Sequence, residues 1–117
     1  METRSITTLA AELRTFAAER DWDQFHSPKN LSMALAVEAS ELMENFQWIT
    51  KEQSSTLPPE KLQQAREEIS DVLIYLTRLA DKLGINPVEA AFEKLEVNGA
   101  KYPTDKVRGS ANKYTEL

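Results

Sequence analysis

The run PEKLQQAREEISDVLIYLTRLADKL, from Pro59 to Leu83, decides the fold. Ile69, Val72, Leu73, Leu76, Leu79 and Leu83 recur at steps of three and four, which is the period of a helix with one broad apolar arc. Pro58-Pro59 opens this helix and Gly84 closes it. Toward the N-terminus, Ser27-Pro28 is a cap followed by proline at the first helical position. It starts a helix expected to reach about Ile49, with Leu31, Leu35, Leu42, Phe46 and Ile49 as its stripe. A first helix, Thr7 to Glu19, is capped by Ser5 and carries Ile6, Leu9, Ala10, Leu13, Phe16 and Ala17 on one face. Toward the C-terminus, Asn86-Pro87 repeats the cap-plus-proline signal and starts a helix through about Lys101, which Tyr102-Pro103 ends. Arg20 to Ser27 reads as a connector, Thr50 to Leu57 as a polar link, and Thr104 to Leu117 as an extended tail. The expected architecture is all-α, a four-helix bundle in one domain spanning 1–117. Within it, 1–27 is the first helix and connector, 28–101 the helical core and 102–117 the tail.

Composition narrows the function classes. The chain has 117 residues and no cysteine, which excludes disulfides, thiolate metal sites and cysteine nucleophiles, and fits a reducing cytoplasm. No apolar run is long enough for a membrane span, and the first residues lack a secretory h-region, so a soluble cytoplasmic protein without a membrane partner is expected. Net charge is −5. The acidic surplus lies in the first hundred residues, whereas residues 101–117 carry Lys101, Lys106, Arg108 and Lys113 against Asp105 and Glu116. An acidic body is a poor match for double-stranded nucleic acid. An anionic small molecule remains compatible if a metal ion reverses the local field. A chain this short also buries a modest share of its surface, which favours oligomerisation.

Carboxylates interrupt the amphipathic pattern at four places. Glu38 lies inside the apolar stripe of the second helix, seven residues after Leu31, and Glu41 lies at its edge, while Glu44 points the opposite way. On the third helix Glu68 falls on the flank of the apolar arc between Tyr75 and Leu79, and Asp71 sits at its margin beside Tyr75. Glu67 projects near Arg78 on the polar side. Each helix thus sets a carboxylate pair at spacing i, i+3 next to the core, where two acids on one face can share an ion. A single such pair is common on solvated faces; two pairs, each encroaching on an apolar stripe, favour a cation between them. Hard oxygen ligands without cysteine select Mg²⁺, with Mn²⁺ as a substitute, and suggest hydrolysis of a polyphosphate.

At this point the sequence resembles a known family. Arg20-Asp21-Trp22-Asp23-Gln24-Phe25-His26, Pro28-Lys29-Asn30-Leu31, Glu38-Ala39-Ser40-Glu41-Leu42 and Phe46-Gln47-Trp48 are similar to the dCTP pyrophosphatase branch of the MazG-like all-α nucleoside triphosphate pyrophosphohydrolases. The similarity continues through Glu67 to Leu76, Lys94, Asn98, Tyr102-Pro103, Arg108-Gly109-Ser110 and the final KYTEL string. The paired acids mark the superfamily; the DW-x-QFH and RGS-x-x-KYTEL strings are specific to the branch. Leu13 stands where animal members have a histidine, the Lys51 to Pro58 link is shorter, and no long segment follows the KYTEL string.

The resemblance implies hydrolysis of a deoxynucleoside triphosphate to the monophosphate and pyrophosphate, most simply dCTP or a modified dCTP, as nucleotide-pool house-cleaning. It implies Mg²⁺ held by Glu38, Glu41, Glu68 and Asp71, and a homotetramer built as a dimer of dimers. Trp22, His26 and Trp48 are implied to surround the base, and Tyr75, Lys94 and Asn98 to hold phosphates or sugar. Each has a plainer role available. Trp22 and Trp48 can be packing residues, His26 a hydrogen-bonded structural histidine, and Lys94 with Asn98 a solvated helix edge. Glu41 or Glu68 would orient the attacking water, and Arg108 could fold over the pocket. A broad-specificity or dUTP-type pyrophosphatase and a non-catalytic helical adaptor are the alternatives.

Overall fold

The computed structural model describes residues 3–116. They form α1 (Ile6–Glu19), α2 (Pro28–Glu44), α3 (Lys51–Ser54), α4 (Pro59–Lys82), α5 (Pro87–Lys101) and α6 (Thr104–Val107), with 3₁₀ turns at Asp23–Phe25 and Tyr114–Glu116. The described residues contain no strand, and no helix is long and apolar enough to cross a membrane. The all-α class is as expected; three of the four long helices start at side-chain caps, and α4 starts at Pro59 without one. Ser5 accepts from the Thr8 amide, Ser27 from Asn30, and Asn86 from Val88 and Glu89.

The chain forms two compact units, one up to Ile85 and one from Asn86 onward. In the first, α2 and α1 both pack on α4. Ala17 of α1, Leu31 of α2, and Ala65 and Ala80 of α4 are its buried apolar residues. Three of these four are alanines, which let the helix backbones approach closely. The second unit holds α5, α6 and the last 3₁₀ turn.

The structure departs from expectation in the end of the second helix, in the link and tail, and in burial. The second helix stops at Glu44, not Ile49. Thr50 is extended (φ −75, ψ 162) because it and Gln53 form a capping box that starts α3, so the preceding chain must leave the helix. Asn45 Nδ2 meanwhile donates to the Glu41 and Leu42 carbonyls at the helix end. The polar link therefore contains α3, and the tail expected to be extended contains α6 and a 3₁₀ turn. Burial differs as well. Ile69, Leu73, Leu76 and Leu83 of the expected core arc are exposed, since the arc on α4 is wider than α1 and α2 can cover. Arg78, expected on the polar side with Glu67, is instead 5% exposed.

Candidate active site

Glu38 on α2 and Glu68 on α4 are half-buried and face each other where these helices pack. One carboxylate oxygen from each, together with one from Glu41, lies within 4.8 Å of the other two. Asp71 is not in that triplet, although it lies near enough for its charge to act on Glu38. Among the described residues, no donor reaches Glu38 Oε2 or Glu68 Oε2, both of which are buried; Thr77 Oγ1 is the other buried side-chain atom without a partner. None of the four acids forms an ion pair among the described residues. The Glu38 carboxyl is pushed up to about 7, first by burial. The close approach of the Glu68 and Glu41 carboxylates follows, which favours a proton on Glu38, and then repulsion from Glu41 and Asp71. Buried acceptors without donors, converging at this spacing, suit a hard divalent cation.

A second cluster lies further along α4. Arg78 donates from Nη2 to Asp23 Oδ1 (2.6 Å) and from Nε to His26 Nδ1 (3.2 Å). Lys82 also donates to Asp23 Oδ1, and Arg14 of α1 pairs with Asp81 at 2.8 Å. The hydrogen bond from Lys82, with the charges of Lys82 and Arg78, holds the exposed Asp23 carboxyl below its usual range. Burial and the Arg78 charge hold His26 below the usual histidine range, with Lys82 acting the same way and Asp23 opposing. The connector from α1 is shaped by Asp21, in the left-handed region (φ 52), and by the Trp22 amide donating to the Ala17 carbonyl. Trp22 packs edge-on against Phe16, with ring centroids 5.8 Å apart, and Arg20 stacks on the same Phe16 ring.

Glu68, Asp71, Tyr75, Arg78 and Lys82 follow each other at steps of three and four, so one stripe of α4 carries both clusters. The axial rise from Asp71 to Arg78 is about 10 Å. Tyr75 is half-buried between them. The structure thus brings together Glu38, Glu41 and Glu68, with Asp71 and Tyr75 beside them on α4, and ties His26 to the far end of the same stripe. Trp22 is half-exposed on the connector, and Trp48 is 85% exposed in the turn after α2. Lys94 is exposed and Asn98 half-buried on α5, in the second unit, where Arg108 is also exposed just past α6. The residue missed by the sequence reading is Arg78; its spacing of seven from Asp71 and three from Tyr75 was the available signal.

Residues 33–117 match the MazG-like family, and the chain belongs to it. The resemblance drawn from the paired acids and the connector strings holds. The chain is similar to dCTP pyrophosphatase 1 of Mus musculus, 47% identical over 104 residues, and to that of Homo sapiens, 45% identical; each alignment covers 87% of this chain and 61% of the relative. The chain thus spans about three-fifths of the length of the curated relatives it matches. A pyrophosphatase from Archaeoglobus fulgidus DSM 4304 shares the fold at TM-score 0.80 and 38% identity, over 88% of this chain and 96% of that one.

Proposed function

We propose that this chain hydrolyses a nucleoside triphosphate, dCTP or a base-modified dCTP foremost, to the monophosphate and pyrophosphate. Mg²⁺, with Mn²⁺ as a substitute, is held by Glu38, Glu41, Glu68 and Asp71. The observation that carries this reading is the pair of buried, donorless oxygens Glu38 Oε2 and Glu68 Oε2, converging with Glu41. The names of the similar proteins, dCTP pyrophosphatase 1 and pyrophosphatase, point the same way. When bound, the cations supply charge neutralisation for the triphosphate and polarise the α–β anhydride. Glu41 or Glu68 orients a water and accepts its proton as the water oxygen adds to phosphorus; the α–β P–O bond breaks and pyrophosphate leaves. Tyr75 donates its hydroxyl to a phosphate oxygen. Lys94 contributes a point charge to the phosphates, and Asn98 a hydrogen-bonding handle. Trp22, His26 and Trp48 surround the base. The roughly 10 Å of helix between the acids and the Arg78–His26 contact leaves room for a sugar between phosphates and base. House-cleaning of the nucleotide pool in a reducing cytoplasm is the matching cellular role.

Incubation with each dNTP and Mg²⁺ tests this reading. Pyrophosphate release is expected, fastest from dCTP or its 5-substituted forms. Equal rates on dUTP and dATP would shift the reading to a broad-specificity enzyme, and no release from any triphosphate would leave a helical adaptor.

The active species is a homotetramer, a dimer of dimers. Within the first unit, Ile69, Leu73 and Leu76 of α4 and Met33, Val37 and Met43 of α2 are exposed, and such apolar surface is costly to leave in water. Sedimentation at micromolar concentration is expected to give four copies; a monomer that hydrolyses triphosphates would contradict the assembly.

A further inference from the structure

We infer that Arg78 is the positioning residue of the nucleobase end of the site, holding His26 as a neutral imidazole protonated at Nε2 and fastening the connector to α4. This rests on the nucleotide reading above. Arg78 is 5% exposed, and a guanidinium taken out of water must find close partners. It has Asp23 Oδ1 at 2.6 Å, His26 Nδ1 at 3.2 Å and Asp81 Oδ2 at 3.6 Å.

The consequence for His26 follows from valence. A guanidinium is always protonated and only donates, so the Nδ1 it faces must carry a lone pair. An imidazolium, or the Nδ1–H tautomer, would set one N–H against another. The surrounding charges agree. The groups facing this place are Arg14 from α1, Asp23 from the connector, and Arg78, Asp81 and Lys82 from α4. Three cations against two carboxylates leave an excess of one, so a fourth cation on His26 is disfavoured; burial first, and then the Arg78 charge, lower the His26 pKa in the same direction. What remains is an Nε2–H donor, fit for a ring nitrogen or carbonyl acceptor on a base.

The connector is fixed at three points, one of them by Arg78. The turn at Asp21 holds its start, and Asn30 Nδ2 donates to the Phe25 carbonyl at its end. Between them, Arg78 and Lys82 grip Asp23. Trp22 and His26 flank Asp23, so the aromatic ring and the imidazole are set relative to the helix that carries Glu68 and Asp71.

The test exploits the fact that His26 is the only histidine. Long-range ¹H–¹⁵N spectra at neutral pH are recorded for the wild type, Arg78→Gln and Arg78→Lys, together with dCTP kinetics and circular dichroism. The wild type is expected to show one Nε2–H tautomer with Nδ1 as acceptor. Arg78→Gln is expected to mix tautomers and to raise KM for dCTP at least fivefold with kcat within twofold. Arg78→Lys, which keeps the charge but loses the fork, is expected to resemble the Gln variant. If the Arg78 variants do not fold, Asp23→Asn loosens the grip from the exposed side and is expected to raise KM in the same way. A wild-type imidazole protonated at Nδ1 or charged at neutral pH overturns the inference, as does a folded variant with unchanged KM. Wild-type protein that releases no pyrophosphate defeats the enzyme reading and this role together. Active wild type with unaltered variants defeats this role alone.

Discussion

Glu38→Gln is expected to lose more than about 100-fold of its pyrophosphate release while gaining thermal stability in the absence of metal. The loss follows if Glu38 is a ligand, because even outer-shell changes at metal sites cost 10–100-fold. The gain follows from electrostatics. Glu38 is half-buried against Glu41 and Glu68, with Asp71 close, and no cation among the described residues pairs with it. Glutamine removes the charge and keeps the shape. In chelator at pH 8, the variant is expected to melt a few degrees above the wild type, the size of shift that about 1 kcal/mol gives in a domain this small. At pH 4 the difference is expected to vanish, because the wild-type carboxyl is then protonated. Undiminished turnover would dismiss Glu38 as a ligand, and a lower melting point at pH 8 would mean that a cation already compensates it.

The second large effect is on pH and metal together. The Glu38 carboxyl titrates near 7 in the folded chain against 4.5 ordinarily. Between these values the folded protein holds a proton that the unfolded chain has lost, so its stability falls as pH rises through that window. The contribution is complete below 4.5 and gone above about 7. His26 acts oppositely. Its lowered pKa lets the unfolded chain take the proton first, so its contribution is present above 6.5 and lost as pH falls through the folded value. A divalent cation must displace the Glu38 proton. With a pKa of about 7, Mg²⁺ uptake should release about 0.8 proton per site at pH 6.5 and about 0.1 at pH 8. Calorimetry in buffers of different ionisation enthalpy reads this directly. A proton release independent of pH would show that the cation is held elsewhere.

Much of this molecule is legible in its sequence because local chemistry decides it. Ser5, Ser27-Pro28 and Asn86-Pro87 each carry a cap whose bonds are made within a few residues, and all three mark true helix starts. Glu38, Glu41 and Glu68 stand out because acids on an apolar stripe violate a periodic pattern, and the fold does bring their oxygens together. The end of α2 was harder. Its apolar stripe runs on to Phe46 and Ile49, but the capping box of Thr50 and Gln53 competes for the backbone and prevails. Arg78 was misread for a different reason. Its spacing from Asp71 and Tyr75 marks the stripe it stands on, but its partners Asp23 and His26 lie more than fifty residues away, so that spacing does not tell a solvated arginine from a buried, paired one. The exposed apolar arc of α4 and the 85% exposure of Trp48 share that origin, since periodicity records which face is apolar and not what covers it.

The central claim, that Glu38, Glu41 and Glu68 converge on a divalent cation, is tested most directly by Mn²⁺ titration followed by electron paramagnetic resonance of the free ion. The wild-type protein is predicted to remove Mn²⁺ from solution and to release it on addition of Mg²⁺, whereas Glu38→Gln and Glu68→Gln bind little. Free Mn²⁺ equal to a buffer blank, with and without a non-hydrolysable dCTP analogue, would contradict it.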